Sequence, residues 1–311
     1  MEKVPNRKSF TDTLLELAKK DRNIIAVATD SRGSVTLGDF ADQLPRQFVE
    51  CGIAEQDAVG ISAGLATCGK KPYVCAPASF LSTRSLDQIK VDVAYSHTNV
   101  KVIGISGGIS YGALGMSHHS LQDIAVMRAI PGITIILPSD KFQTREMTKA
   151  LVDFDGPVYV RMGRGPVESV YSDGYCPFVI GKANVLKDGK DIAIIATGET
   201  VIEAVRAAEI LSKDNKNARV IDMHTIKPLD ESVILQAAEE CGAILTAEEH
   251  SLNGGLGEAV AHVLIQNKHV PMKILGFPDE SLVSGNSKEL FEYYGLNSDG
   301  IVSQAKRLLN V

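Results

Sequence analysis

Short apolar runs rich in Val and Ile recur along the chain, separated by stretches in which apolar residues return every three or four positions. The first pattern predicts strands at residues 23–29, 101–105, 133–137, 157–161, 191–197, 219–222, 243–246 and 272–275. The second predicts helices at 9–20, 54–68, 80–95, 121–130, 139–152, 200–211, 231–241, 256–266 and 299–309. Strands that alternate with helices point to parallel sheets flanked by helices. Residues 163–191 break the rhythm with Gly163, Gly165, Pro166, Gly174, Pro177, Gly181 and Gly189, and read as a linker plus the strand leading into a second unit. The expected fold class is α/β, in two domains at residues 1–170 and 180–311, each a mostly parallel sheet flanked by helices. The Ala- and Gly-rich helix at 54–68 is expected to pack tightly on all sides.

Composition narrows the function classes without naming one. The 311 residues correspond to about two domains. With 44% hydrophobic and 23% charged residues, disorder, coiled coil and collagen are excluded. No apolar run approaches the roughly 18–20 residues needed to span a bilayer, and the first residues lack a secretory apolar region, so no membrane association is expected. A net charge of −6, low aromatic content and no Trp argue against nucleic-acid binding. The five cysteines form no CxxC and are odd in number, which fits a reduced, cytoplasmic protein.

Gly64-Leu-Ala-Thr-Cys-Gly69-Lys70-Lys71 imitates a phosphate loop but lacks the Ser or Thr after the lysine, and reads as a helix ending at Gly69. Asn253-Gly-Gly-Leu-Gly257-Glu258 reads as close helix–sheet packing. Chemistry points elsewhere. Glu55, in Cys51-Gly-Ile-Ala-Glu55-Gln-Asp57, stands at the mouth of a helix, where the dipole favours a carboxylate. After the strand at 101–105 comes a glycine-rich loop, residues 106–119, ending in His118 and His119. Loops beyond the carboxyl ends of strands hold ligands in open α/β sheets, and a histidine there is a candidate acid, base or substrate hydrogen-bond group. No third ligand stands at zinc spacing, so no metal site is expected on this chain.

The order of these pieces resembles the second half of a transketolase, a thiamine diphosphate enzyme. The likeness runs through Gly-Ile-Ala-Glu55-Gln, Phe80-Leu-x-x-Arg84-x-x-Asp87-Gln88, the His118 loop, Asp123-Ile-Ala-x-Met-Arg, Leu-Pro-Ser-Asp140 and Pro157-Val-Tyr-Val-Arg161-Met-Gly-Arg164. It continues through Ile226-Lys-Pro-Leu229 and Thr246-Ala-Glu-Glu-His250-Ser-x-x-Gly-Gly-Leu-Gly257. The resemblance implies that Glu55 is catalytic, holding the cofactor's pyrimidine in the tautomer that activates it. It implies that Glu55 sits in an apolar pocket, for which Ile53, Ala54, Ala58 and Ile61 are the expected surroundings, and that Phe80 packs near the aminopyrimidine. His118 is implied to contact the reacting oxygens of the substrate, with His119 and Ser106 beside it, and Arg161 to hold the sugar phosphate. Arg84 and Asp87 are expected either to form a helix-surface pair or to orient the cofactor pocket, the structural role being favoured, and His97, His224, His262 and His269 are expected to be structural.

Two departures from ordinary pentose-phosphate transketolases bear on the substrate. Ser106 replaces a histidine and Leu114 an aspartate, while His119 stands where glutamine is common. Buried polar contacts discriminate strongly between substrates, so the expected donor is a non-standard ketose, either branched at C3 as in apulose 4-phosphate or bearing a group other than the usual phosphate. The family's Gly-Asp-Gly, which holds Mg2+ and the diphosphate, does not occur here. The expectation is a second subunit that works in an α2β2 heterotetramer with an N-terminal subunit carrying the diphosphate-binding domain. The alternatives are the β subunit of a 2-oxo acid dehydrogenase E1 component and a non-catalytic assembly partner.

Overall fold

The computed structural model describes residues 3–310 and divides them among two main sheets and a small ribbon. In the first sheet the strands run in the order Thr225–Lys227, Thr134–Ile136, Val158–Met162, Lys101–Ile105, Lys71–Pro77, Ile24–Ala28, Phe48–Glu50. All are parallel except Thr225–Lys227. The central strands Ile24–Ala28, Lys101–Ile105 and Val158–Met162 are buried along their whole length, as parallel strands covered on both faces must be. The second sheet runs Met272–Phe277, Ile244–Ser251, Ile192–Ala196, Ala218–Asp222, Asn184–Lys187, with only Asn184–Lys187 antiparallel. Val4–Pro5 pairs with Pro166–Val167 in the ribbon. The expected class, two α/β units with mostly parallel sheets, is the one observed.

The two halves are not independent. Thr225–Lys227 lies in the sequence of the second half but adds a strand to the first sheet, against Thr134–Ile136. One apolar core holds Val27, Ile124 and Leu137 from the first half with Ile195, Met223 and Val260 from the second. Phe10, Leu14, Tyr73 and Met147 fill the opposite face of the first sheet.

Three expectations are corrected. Lys71–Pro77 is a central strand that periodicity missed, because Pro72 and Pro77 at its two ends read as breakers; proline is tolerated at strand ends, where ladder donors are dispensable. The helix expected at 80–95 is divided into Ala78–Arg84, a single turn at Leu86–Gln88 and a π-helix at Ile89–Tyr95. Ser82 and Thr83 donate to the carbonyls of Ala78 and Ser79 at 2.7 and 2.6 Å, and Ser85 to that of Leu81. Such hydroxyl back-bonding loosens the helical ladder, and the helix stops at Ser85. Finally, Glu55–Thr67 does not pack on all sides. It buries Ala58, Val59, Ser62 and Ala63, but Ile61 is exposed, and nothing lies within 4 Å of where β-carbons of Gly60 and Gly64 would stand.

Candidate functional site

The loops that leave five neighbouring strands of the first sheet converge at their carboxyl ends. The chain leaves Ile24–Ala28 toward one edge, forms Phe48–Glu50, and returns across it to Lys71–Pro77. Ligands in open α/β sheets bind at such a reversal. Phe48–Glu50 delivers Glu55 as the first residue of its helix, where free N–H groups and the dipole favour a carboxylate. Lys71–Pro77 delivers the helix Ala78–Arg84, which sets Phe80 and Arg84 one turn apart on one face. Lys101–Ile105 delivers the glycine-rich loop, and Val158–Met162 delivers Arg164.

A continuous series of contacts connects these residues. Glu55 is buried, and Nη1 of Arg84 donates to both of its carboxylate oxygens at 3.1 Å. The same guanidinium lies over the Phe80 ring, 4.0 Å from its centroid. The edge of Phe80 meets His118 at 5.1 Å between centroids, and His118 meets Tyr111 at 5.6 Å. Arg164 lies over Tyr111 at 5.0 Å. Arg7 completes the series: it donates to the Ser34 carbonyl, and burial together with the like charge of Arg164 lowers its pKa. The Nε of Arg7 is buried with no hydrogen-bond partner among the described residues. Neither Arg7 nor Arg164 forms an ion pair among the described residues. Two adjacent, half-buried guanidiniums without carboxylates leave donors and positive charge open to an anion.

The other expected residues are distributed differently. His118 is half-buried, with Nδ1 3.0 Å from the Ser117 hydroxyl. His119 is buried and turned into its own loop, Nε2 donating to the Gly112 carbonyl at 3.3 Å; burial lowers its pKa, which keeps the ring neutral. Ser106 is also buried, in the left-handed region at φ +60°, and its hydroxyl has no hydrogen-bond partner among the described residues. Ile53 is 76% exposed and Ile61 43%, so within this chain they do not enclose Glu55. At the tip of the loop, Leu114 and Met116 face solvent.

Arg161 does not reach this surface. It lies inside the molecule, with Nη2 3.1 Å from Glu249 and Nε 3.7 Å from Asp123, and Asp123 also accepts from the Tyr159 hydroxyl at 2.7 Å. Two of its three nitrogens face these carboxylates, and Nη1 is buried with no hydrogen-bond partner among the described residues. Arg164 and Arg7, which were not among the expected site residues, stand in the series of contacts, and so does Arg84. A signal for Arg164 was present: Arg161 falls within a strand, whereas Arg164 falls just past its carboxyl end. Arg84 was signalled by standing four residues after Phe80 on one helix.

Comparison with known proteins shows the family of the chain. The profile of the transketolase pyrimidine-binding domain matches residues 2–169, and that of the transketolase C-terminal domain matches residues 181–301. The chain is 60% identical over 299 residues to an apulose-4-phosphate transketolase subunit of Phocaeicola vulgatus, covering 96% of each chain. It is 39% identical to a 6-deoxy-6-sulfo-D-fructose transketolase subunit of a Clostridium species, covering 96% of this chain and 92% of that one. A split-gene transketolase solved as an inactive β4 tetramer superposes with a TM-score of 0.88 at 35% identity, covering 99% of each chain.

Proposed function

The chain belongs to the transketolase family, and on that premise we propose that it is the second subunit of a two-chain, cytoplasmic transketolase. It moves a two-carbon glycolaldehyde unit from a ketose phosphate to an aldose phosphate. Whole-length similarity to chains that are themselves called subunits supports the division of the enzyme. Exposed Ile53, Ile61, Val91 and Tyr95, on and beside the helix that begins at Glu55, support a partner packed against this face, in an α2β2 assembly. The partner would hold the diphosphate and its Mg2+.

The residues present fit the aminopyrimidine end of thiamine diphosphate. A buried carboxylate and an aromatic ring already hold a planar group with N–H donors between them. When bound, the cofactor supplies the nucleophilic carbon and the electron sink that cleavage of a ketose C–C bond requires. Glu55 holds the proton shared with the pyrimidine nitrogen. Phe80 would stack against the ring, and Ile53, exposed in this chain, would cover it with the partner in place. His118, in edge contact with Phe80, would hydrogen-bond the substrate oxygens next to the reacting carbon. Arg7 and Arg164 receive the sugar phosphate in the role first expected of Arg161.

The donor we favour is branched, as in apulose 4-phosphate. The 60% relative carries that name, and the loop supports it: Ser106 and His119 are withdrawn from the surface, and Leu114 and Met116 leave an apolar tip. The observation that carries the whole reading is the contact series from Glu55 through Phe80 to His118. The test is to co-express the chain with its partner, supply thiamine diphosphate and magnesium, and follow two-carbon transfer from a panel of ketose phosphates. Apulose 4-phosphate should be the best donor. Preference for xylulose 5-phosphate, sedoheptulose 7-phosphate or 6-deoxy-6-sulfofructose would defeat the branched-donor reading. Reduction of a lipoyl domain with no transfer would defeat the transferase reading.

A further inference from the structure

We propose that Arg84 stands in for the cofactor's aminopyrimidine before loading, and must swing away from Glu55 for the cofactor to dock. The proposal rests on the reading of Glu55 and Phe80 given above. Arg84 Nη1 bridges both oxygens of Glu55 at 3.1 Å while its guanidinium lies 4.0 Å from the Phe80 ring centroid. A guanidinium is planar, carries its N–H donors in that plane and stacks on aromatic faces. Those are the features by which a carboxylate and a phenyl ring together recognise an aminopyrimidine.

Exposure points the same way. The side chain of Glu55 is 4% exposed and that of Arg84 is 44%, so the approach from solvent to the carboxylate leads through the place where Arg84 stands. Arg84 is free to leave it. It is the last residue of its helix, and its side-chain hydrogen bonds among the described residues are those to Glu55. A buried carboxylate without a partner is unfavourable, so Arg84 keeps Glu55 charge-paired until the cofactor arrives. The exchange lowers apparent cofactor affinity by the fraction of chains in which the arginine has swung out.

The test uses the complex with the partner subunit, carrying Arg84→Met or Arg84→Lys, titrated calorimetrically with thiamine diphosphate and magnesium. Arg84→Met is expected to bind about tenfold more tightly than the unaltered complex. Arg84→Lys keeps the charge but not the plane, and should fall between. Inorganic pyrophosphate has no ring and should bind all three complexes alike. If thiamine diphosphate binds Arg84→Met equally, Arg84 does not obstruct the cofactor, and if more weakly while pyrophosphate binding is intact, Arg84 holds it; either result overturns the proposal. Glu55→Gln separates the two levels: unchanged cofactor affinity and turnover in that variant would remove the reading of Glu55 itself, and this proposal with it.

Discussion

Arg161 and Glu249 come from different sheets and meet at 3.1 Å with both side chains buried. Gly107 and Gly108 cover the pair. At Gly108, with φ +61°, a β-carbon would lie 2.1 Å from Cδ of Glu249 and 2.3 Å from Nη2 of Arg161. The N–H of Ile109 donates to Oε1 of Glu249 at 2.8 Å. One carboxylate therefore anchors both the arginine of the first sheet and the loop that bears His118. Removing one member of a buried ion pair leaves an uncompensated charge. Arg161→Met is expected to lower unfolding free energy by about 3–5 kcal/mol. Urea denaturation checks it, and a loss under about 1 kcal/mol, the range of surface pairs, would show that the pair is not acting as a buried one.

Glu55→Gln should leave the melting temperature of the complex close to that of the parent, since glutamine keeps the shape and can still bond Arg84. Turnover should fall by about a hundred- to ten-thousandfold, the range for loss of a positioned acid–base group. Steady-state kinetics of two-carbon transfer is the measurement, and full retained activity is the result against a catalytic role.

Arg7→Ala and Arg164→Ala should each raise KM for a phosphorylated donor by about ten- to a hundredfold, as expected for a lost hydrogen bond to a charged group. The same variants should handle the dephosphorylated sugar as the parent does. If instead both forms of the sugar are affected equally, these arginines do not read the phosphate.

The pH dependence of stability should carry the mark of Asp222. Burial pushes its carboxyl up to about 7, although the hydroxyls of Tyr171 and Ser139 and the amide of Gln143, which donate to Oδ2 at 2.7, 3.1 and 2.8 Å, pull the other way. Between the ordinary 3.8 and about 7 the folded chain keeps a proton that the unfolded chain has released, so stability falls as pH rises through that window. Burial raises Glu199 and Glu249 as well, which adds in the same sense. Asp222→Asn should flatten the slope of the urea midpoint between about pH 5 and about pH 7. An unaltered slope in that variant would place the titration elsewhere.

Much of this fold is legible in the sequence, for identifiable reasons. Ile24–Ala28 and Lys101–Ile105 are covered on both faces, so their apolar runs carry an unambiguous signal. Thr225–Lys227 is three residues on an edge, too short for periodicity to register. Within the site, the motif order brings out Glu55, Phe80 and His118, and the structure joins them in one series of contacts. Arg161 and Arg164 are three residues apart and chemically alike. Only the end of a strand decides that one is buried against Glu249 and the other stands over Tyr111. Ser106 and His119 are turned inward by loop geometry, which no residue pattern announces.

Thr225–Lys227 also has a consequence for how the molecule comes apart. Without it, Thr134–Ile136 would become the bare margin of the first sheet, a template for pairing with other chains. The seam between the halves is therefore stitched in both directions, by a strand passed one way and a shared apolar core running the other. Two sheets with one fate should melt in a single transition, and damage to either should be felt throughout.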